Sequence, residues 1–233
     1  MFIAKATLNP QRREAKRLLS SPQRMHAAVL AGFSPGERQR PSSGRILWRL
    51  DPGPHHVDLL VVSPGMPDFT GLIEDAGWPA TTPAQAKDYS AFLDRLARGS
   101  RWHYRLRANP VRAIRLDGWP ESKRVGHVSA EAQAKWWLQR AQSVGLLLLN
   151  DEGVPGDPDQ PLDFVAVTAR HTESFGRTES VPGPRGRVSL TTAVFEGNAE
   201  VVDPVALREA MANGIGRARA YGCGLLTLVS GRT

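Results

Sequence analysis

The sequence predicts an α+β fold of two ferredoxin-like, RRM-like domains in tandem, each with the order βαββαβ. Three observations favour it. Strand and helix patterns alternate in this order between residues 1 and 109. Helical patterns and short apolar runs then return, less regularly, after residue 129. The chain closes with a helix, a glycine-rich stretch and an apolar run. We therefore expect a first domain at 1–110, a basic linker at 111–128 and a second domain at 129–233.

Four apolar runs and two helical patterns define the predicted first domain. The predicted strands are 1–8, 45–50, 57–63 and 102–108, and the predicted helices are 21–31 and 84–98. Ser21-Pro22 is a typical helix start, with a hydroxyl N-cap before a proline, and Gly32 ends that helix. In the last strand the residues alternate, so that Arg105 and Arg107 share one face and can present positive charge.

The predicted second domain begins with a helix that Ser129 opens and Gly145 ends. Its strands are expected at 146–149, 164–168, 188–195 and 199–202, with a tight turn at 196–198. A helix follows at 204–212, and the last apolar run begins at 225. The polar, arginine-rich segment 169–187 is interpreted as a projecting hairpin or a mobile loop.

Composition favours an anionic partner. The 233 residues hold 30 Lys plus Arg against 23 Asp plus Glu, giving a net charge of +7, and most of the positive charge is arginine. Arginine suits phosphate groups and base edges, although a GC-rich genome would produce the same bias. A single cysteine, Cys223, excludes an internal disulfide and a four-thiolate zinc site. No apolar run reaches membrane-spanning length, so we expect a cytoplasmic protein without a membrane partner.

The glycine-rich stretch at 214–224 holds four glycines and two arginines in eleven residues. Such a loop can bring its backbone and guanidinium groups close to phosphates. It follows a helix and precedes a strand, the reverse of a dinucleotide-binding turn, and it lacks the Gly-Lys-Ser/Thr of a P-loop. A nucleotide-binding enzyme is therefore disfavoured, while a plain flexible connection stays open as an alternative.

Together with motifs along nearly the whole chain, this stretch resembles the repeat-associated (RAMP) proteins of CRISPR systems. The resemblance is narrowest to the CasE-type repeat-processing endoribonuclease of subtype I-E. The other matching pieces are Leu8-Asn9-Pro10, Ser21-Pro22 through Met25-His26, Leu47-Trp48-Arg49-Leu50, Arg105-Leu106-Arg107-Ala108-Asn109-Pro110, Lys123-Arg124-Val125, Phe195-Glu196-Gly197 and Val201-Val202-Asp203-Pro204.

The resemblance implies that His26 carries out proton transfer, whereas the residues alone would make a lone helical histidine more often structural. Many members of the family have a tyrosine three residues before this histidine, but this sequence has Gln23. Glutamine can bind the scissile phosphate or orient water, yet it cannot act as a general base. We expect His26 to take the main proton-transfer role and Arg24 or another arginine to supply positive charge, with Tyr221 as the alternative phenol.

The resemblance also implies metal-independent cleavage of CRISPR repeat RNA at the 3′ base of its hairpin, without a cofactor. The product would stay bound, and the protein would join the other subunits of the subtype I-E surveillance complex. A non-catalytic crRNA-binding or assembly subunit is the alternative. The candidate RNA-binding residues are Arg105, Arg107, Lys123, Arg124, Arg170, Arg177, Arg187, Gly214, Gly216, Arg217 and Arg219.

Overall fold

The first half of the chain forms a four-stranded antiparallel sheet with three helices on one face. The computed structural model describes residues 1–39, 44–115, 122–176 and 187–230. The strands of the first half are β1 (Phe2–Leu8), β2 (Leu47–Pro52), β3 (Val57–Ser63) and β4 (Gln85–Asp88), and the helices are α1 (Arg13–Leu19), α2 (Pro22–Ala31), α3 (Thr70–Ala76) and α4 (Ser90–Asp94). The strand order β2-β3-β1-β4, with helices after β1 and β3, is that of a ferredoxin-like unit.

The N-terminal elements of this unit follow the predicted start and stop signals. The Ser21 hydroxyl accepts a hydrogen bond from the Arg24 backbone N–H, Pro22 takes the first helical position, and Gly32 caps the end of α2. Met25 and Val29 lie one turn apart on α2 and are fully buried against the sheet. These contacts fix the face of α2 that carries His26.

Two predictions for the first unit are wrong. The helix predicted at 84–98 is the strand β4 followed by the short α4, because Phe2, Ile3, Ala4 and Lys5 of β1 pair with 85–88. The strand predicted at 102–108 exists, but it belongs to the other sheet. The predicted division of the chain into separately folding domains, at 1–110, 111–128 and 129–233, stays a prediction.

The second half forms a second ferredoxin-like unit. Its elements are β5 (Arg101–Ala108), β6 (Val111–Ile114), β7 (Lys123–Gly126), α5 (Ala130–Ser143), β8 (Leu146–Leu149), β9 (Ala166–Gly176), β10 (Arg187–Val201), α6 (Pro204–Asn213) and β11 (Leu226–Ser230). The main sheet has the order β11-β5-β10-β8, with α5 and α6 as crossovers, and β9 pairs with β10. This is the same arrangement as in the first unit, so the predicted tandem ferredoxin-like fold is confirmed.

Three segments of the second half differ from the prediction or give it in more detail. The predicted linker 111–128 contains a small hairpin of β6 and β7. The turn predicted at 196–198 is not formed, because Gly197 continues β10 and lies directly opposite Tyr104 of β5. Glycine fits this position, since a Cβ there would be 3.0 Å from the Phe164 carbonyl oxygen and from the Tyr104 hydroxyl. The predicted arm at 169–187 is a hairpin in its described part, since β9 and β10 pair as far as Gly176 and Arg187.

The two units share a continuous apolar seam. One face of the first sheet buries Trp48, Leu59 and Val61 under α1, α2 and α3. Leu47 and Val62, on the opposite face, belong to the core of the second unit. Alternate residues of the same strands therefore serve the two cores.

Arg49 fastens this seam with a buried guanidinium that is 2% exposed. Its Nε and Nη2 bind the two carboxylate oxygens of Asp51 at 2.9 and 2.8 Å. Its Nη1 donates to the Arg105 carbonyl of β5 at 2.8 Å and to the Leu225 carbonyl at 3.2 Å. Nη2 also donates to the Thr227 hydroxyl of β11 at 2.9 Å. One side chain thus ties the edge strand of the first sheet to the second sheet.

Three single-turn 3₁₀ helices complete the described structure, at Glu37–Gln39, Pro161–Asp163 and Arg219–Tyr221. Across the described ranges, every helix is too short or too polar to cross a bilayer.

Candidate functional site

His26 lies half-buried on α2 and is held by one specific partner. The indole Nε1–H of Trp48 donates a hydrogen bond to His26 Nδ1 at 3.2 Å. Trp48 is 1% exposed and stands on β2, beneath the helix. Burial lowers the pKa of His26 below its usual value, because the charged imidazolium loses hydration there. The imidazole is consequently neutral near pH 7.

Gln23 and Arg24 flank this histidine on the first turns of α2. Gln23 lies one turn before His26 and is half-buried, while Arg24 is exposed. The structure thus brings the three predicted catalytic side chains onto one helix. Their roles in cleavage stay a prediction.

The glycine-rich loop reaches this helix from the second unit. Its 3₁₀ turn, Arg219–Tyr221, packs against α2, which places the candidate phenol Tyr221 on the segment facing His26's helix. Gly222 ends the turn at φ +75°, in the left-handed region. A Cβ at Gly222 would be 2.7 Å from Trp48 Cζ3, so the loop backbone rests directly on the indole that binds His26.

Arg107 holds this loop in place from β5. It is partly buried, and its Nη1 donates to the carbonyls of Tyr221 at 3.0 Å and Gly222 at 3.2 Å. Its Nη2 approaches Glu173 of β9 at 3.6 Å. The described contacts of Arg107 are therefore with protein, and a direct contact with RNA stays a prediction.

An arginine pocket lies along the first part of the loop and reaches its 3₁₀ turn. We define it by Arg45, Arg140, Arg217 and Arg219, which surround a cavity of about 600 Å³ together with Gly216, Ala218 and Ala220. These lining residues, all in the described part of the chain, include no carboxylate. Like charges gathered without a counter-ion create a strong positive potential that attracts anions.

Arg219 shows the electrostatic strain of this pocket most clearly. Burial is the main cause that lowers the pKa of its guanidinium, and the nearby positive charges of Arg45 and Arg140 lower it further. Its Nε is buried and makes no hydrogen bond within the described part of the chain. Arg140 stacks over the Trp136 ring at 5.4 Å from the centroid, which holds its charge at the pocket.

Sequence reasoning found Arg217 and Arg219 of this pocket but missed Arg45 and Arg140. Arg45 precedes an edge strand, and Arg140 lies on the exposed face of α5. Nothing local distinguishes either one from an ordinary solvated arginine, because only the packing of the two units brings them together.

The other predicted RNA-binding residues are spread over the second half. Arg105 pairs with Glu196 at 3.0 Å and lies 3.5 Å from Asp51. Lys123 and Arg124 are exposed on β7, and Arg170 is exposed on β9, where it reaches the Val128 carbonyl at 3.4 Å.

The remaining candidates are the two loop glycines and two arginines of the long hairpin. Gly214 and Gly216 adopt φ of +79° and +78°, which turns the chain from α6 into the loop. Arg187 begins β10, although its side chain is outside the description, and Arg177 lies outside the described residues. Within the described ranges, no group of three or more His, Cys, Asp or Glu is placed to hold a metal ion.

Known proteins share this architecture over almost the full chain. The sequence profile of the family described as CRISPR associated protein matches residues 1–229. The CRISPR-associated endoribonuclease Cse3 of Thermus thermophilus is 30% identical over 230 residues, covering 98% of this chain and 99% of the relative. The Cascade subunit CasE of Escherichia coli (strain K12) is 29% identical over 164 residues, covering 67% of this chain and 72% of the relative.

Solved structures of the same kind of protein are also similar to this chain in fold. A structure of the endoribonuclease Cse3 bound to a 19-nucleotide RNA has a TM-score of 0.75 at 27% identity, covering 98% of this chain and all of that one. Thermus thermophilus Cse3 with an RNA representing a pre-cleavage complex has a TM-score of 0.71 at 26% identity, with 98% of both chains covered.

Fold and site together thus define a tandem ferredoxin-like protein with a histidine beside a glycine-rich, arginine-lined loop. The chain belongs to the CRISPR associated protein family and, within it, to the CasE-type, subtype I-E branch.

Proposed function

We propose that the protein is an endoribonuclease that cuts CRISPR repeat precursor RNA at the 3′ base of the repeat hairpin. One observation carries the proposal: a half-buried histidine lies on a helix that packs against the glycine-rich loop, and two arginines of that loop line a cavity with Arg45 and Arg140 and without a lining carboxylate. The two relatives named as endoribonuclease Cse3 and as a Cascade subunit support both the activity and its setting.

The reaction we propose needs no group beyond the RNA and this chain. The 2′-hydroxyl loses its proton and attacks the adjacent phosphorus, and the 5′-oxygen leaves with a proton, giving a 2′,3′-cyclic phosphate. His26 serves proton transfer, because imidazole can accept or donate a proton near neutral pH. Arginines offset the charge that develops on the phosphorane. Arg24 is the closest candidate in sequence, while Gln23 can bind the phosphate but cannot serve as a base.

The bound RNA would lie along the exposed basic groups of the second unit. The arginine pocket offers charge-assisted hydrogen bonds for backbone phosphates, and the exposed Lys123 and Arg124 of β7 extend the positive surface. An A-form stem is recognised mainly through its phosphates and shape, which suits these contacts. We further propose that the product stays bound as the protein joins the other subunits of the surveillance complex, in the cytoplasm.

Cleavage of the cognate repeat RNA in EDTA, with the rate measured for wild type and His26→Ala, tests this function. We expect metal-independent cutting by wild type and a loss of about 10²–10⁴-fold in the variant, the range for a proton-transfer group. RNA affinity should stay unchanged, because the variant removes no positive charge. His55→Ala, which removes an exposed histidine in the β2–β3 turn, is the matched control and should cut normally.

Two outcomes would contradict the proposal. Unchanged cutting by His26→Ala would remove His26 from the reaction. Tight binding of the repeat by wild type without any cutting would favour the alternative, a non-catalytic crRNA-binding subunit.

A further inference from the structure

The indole of Trp48 restricts what His26 can do. An indole N–H is a donor only, and Trp48 is 1% exposed, so water cannot serve this N–H. The acceptor it has is His26 Nδ1 at 3.2 Å. A buried donor that loses its acceptor destabilises the fold, so this hydrogen bond is strongly favoured.

We propose that Trp48 is a positioning residue that fixes His26 in the neutral tautomer with its proton on Nε2. This inference rests on the proposed role of His26 in cleavage. An acceptor nitrogen cannot carry a hydrogen, so Nδ1 must be bare while the Trp48 bond exists. The single proton of the neutral ring then resides on Nε2. The imidazolium carries N–H groups on both nitrogens, and forming it would leave the buried indole N–H unpaired.

The geometry prevents Trp48 from turning away to avoid this conflict. The backbone of Gly222 covers the far edge of the indole, since a Cβ there would be 2.7 Å from Cζ3 and 2.9 Å from Cη2. On the other side Trp48 packs in the core beneath α1, α2 and α3. The hydrogen bond therefore joins two groups that are each held by their own surroundings.

Charged groups near this pair do not favour a positive imidazole. Arg24 lies on α2 itself, and Arg219 and Tyr221 lie on the 3₁₀ turn packed against α2. Arg107 approaches the Gly222 side of the indole, as its Nη1 would be 3.0 Å from a Cβ at Gly222. The neighbouring helix α1 carries Glu14, which pairs with Arg17 at 2.6 Å, together with Arg13 and Lys16. On β2, Arg49 and Asp51 pair with each other.

The fixed tautomer determines how the resting enzyme meets RNA. Nε2–H can donate a hydrogen bond to a phosphate oxygen, but it cannot accept the 2′-hydroxyl proton. For Nε2 to take that proton, the ring proton must first move to Nδ1, which breaks the bond from Trp48. Cleavage through Nε2 as a base therefore requires His26 to separate from Trp48, and cleavage through the imidazolium requires the same.

Nitrogen-15 NMR of the wild-type protein, labelled at histidine, tests the tautomer directly and needs neither RNA nor a variant. At a pH above the His26 pKa, the long-range proton–nitrogen correlations should show a bare Nδ1 and a protonated Nε2. One hydrogen bond of ordinary strength predicts roughly a tenfold excess of this tautomer. A predominantly protonated Nδ1, or an equal mixture, would overturn the inference even if the protein cleaves RNA.

A variant then tests the consequence for the reaction. Trp48→Phe should raise the pKa of His26, because protonation no longer leaves an indole N–H unpaired, and should mix the two tautomers. The limb of the cleavage pH profile that follows His26 should move to higher pH by the same amount. This direction holds whether the reaction uses the neutral or the charged ring.

Trp137→Phe is the matched control. Trp137 is also fully buried, in the core of the second unit beside Tyr104 and Phe195, so its truncation leaves a comparable cavity. It should leave the His26 pKa and the pH profile unchanged. If the His26 pKa shifted equally in both variants, or did not shift in Trp48→Phe, Trp48 would be a packing residue and not a positioning residue. If Trp48→Phe does not fold, the wild-type tautomer still decides.

Discussion

Arg49 shows how much a single side chain can contribute to this fold. A charge that is 2% exposed is tolerated because a bidentate carboxylate, two carbonyls and a hydroxyl surround it. Each contact with β5 and β11 also crosses from one unit to the other. The sequence places this residue in a strand motif, Leu47-Trp48-Arg49-Leu50, but an inward-facing arginine cannot be recognised without the partner strand.

Arg49→Met should therefore destabilise the protein strongly. Removing the guanidinium takes its bidentate donor from Asp51, which keeps only Arg105 Nε at 3.5 Å, and one donor from each of the two carbonyls, for an expected loss of about 3–5 kcal/mol in the free energy of unfolding. Because the bonds join the two units, unfolding by urea should also separate into two transitions.

Arg17→Met provides the comparison, since Arg17 pairs with Glu14 on the surface of α1 and solvent screens that pair. Its unfolding curve should match that of wild type. Equal curves for both variants would show that Arg49 does not fasten the seam.

Single elements were predictable where their signals are local. The caps of α2 and α5 hold as expected, with the Ser21 and Ser129 hydroxyls accepting backbone N–H groups. The failure at 84–98 has a physical reason: β4 is a short edge strand with exposed polar residues, which give no apolar alternation. Its pairing with β1 overrides the helical spacing of the sequence.

Gly222 supports the glycine-rich loop through its positive φ and through its close contact with Trp48, and two substitutions can separate these effects. Gly222→Ala places an alanine at φ +75°, which costs about 1–2 kcal/mol, and drives its Cβ into Trp48. We expect a loss of stability beyond the backbone term and slower cleavage, because the 3₁₀ turn is pushed away from α2.

Gly99→Ala is the matched control, at φ +82° with open space around the new methyl group. It should show the backbone term alone and cut RNA at the wild-type rate. If Gly99→Ala slowed cleavage to the same degree, the slower cleavage of Gly222→Ala would be explained by general destabilisation.

At the scale of the whole molecule, the tandem ferredoxin-like fold was predictable but the sheet membership of one strand was not. The alternation at 102–108 correctly predicts a buried face, but the arginine face is only partly exposed, because Arg105 and Arg107 both bind other parts of the protein. It carries no information on which neighbours the strand pairs with, and β5 pairs with β10 and β11. The arginine pocket was beyond prediction for the same reason, since Arg45 and Arg140 meet only in the folded chain.

The basic surface predicts a steep dependence of RNA affinity on salt. Arg45→Gln and Arg140→Gln should each weaken repeat binding and reduce the slope of log K against log salt by about 1, if each arginine binds one phosphate. Filter-binding or anisotropy titrations at several salt concentrations measure this slope.

Arg101→Gln removes the same charge from an arginine that already pairs with Glu200 at 3.2 Å, and it should leave the slope nearly unchanged. A slope equally reduced by all three variants would indicate a general charge effect and not a phosphate site.

The contact between α2 and the 3₁₀ turn at Arg219–Tyr221 has a last consequence. The histidine comes from the amino-terminal half and the turn from the carboxy-terminal half. Under the proposed mechanism, neither half expressed alone would hold both the histidine and the turn, and a mixture of the two fragments would regain cutting only by reassembling along the surface that Arg49 joins.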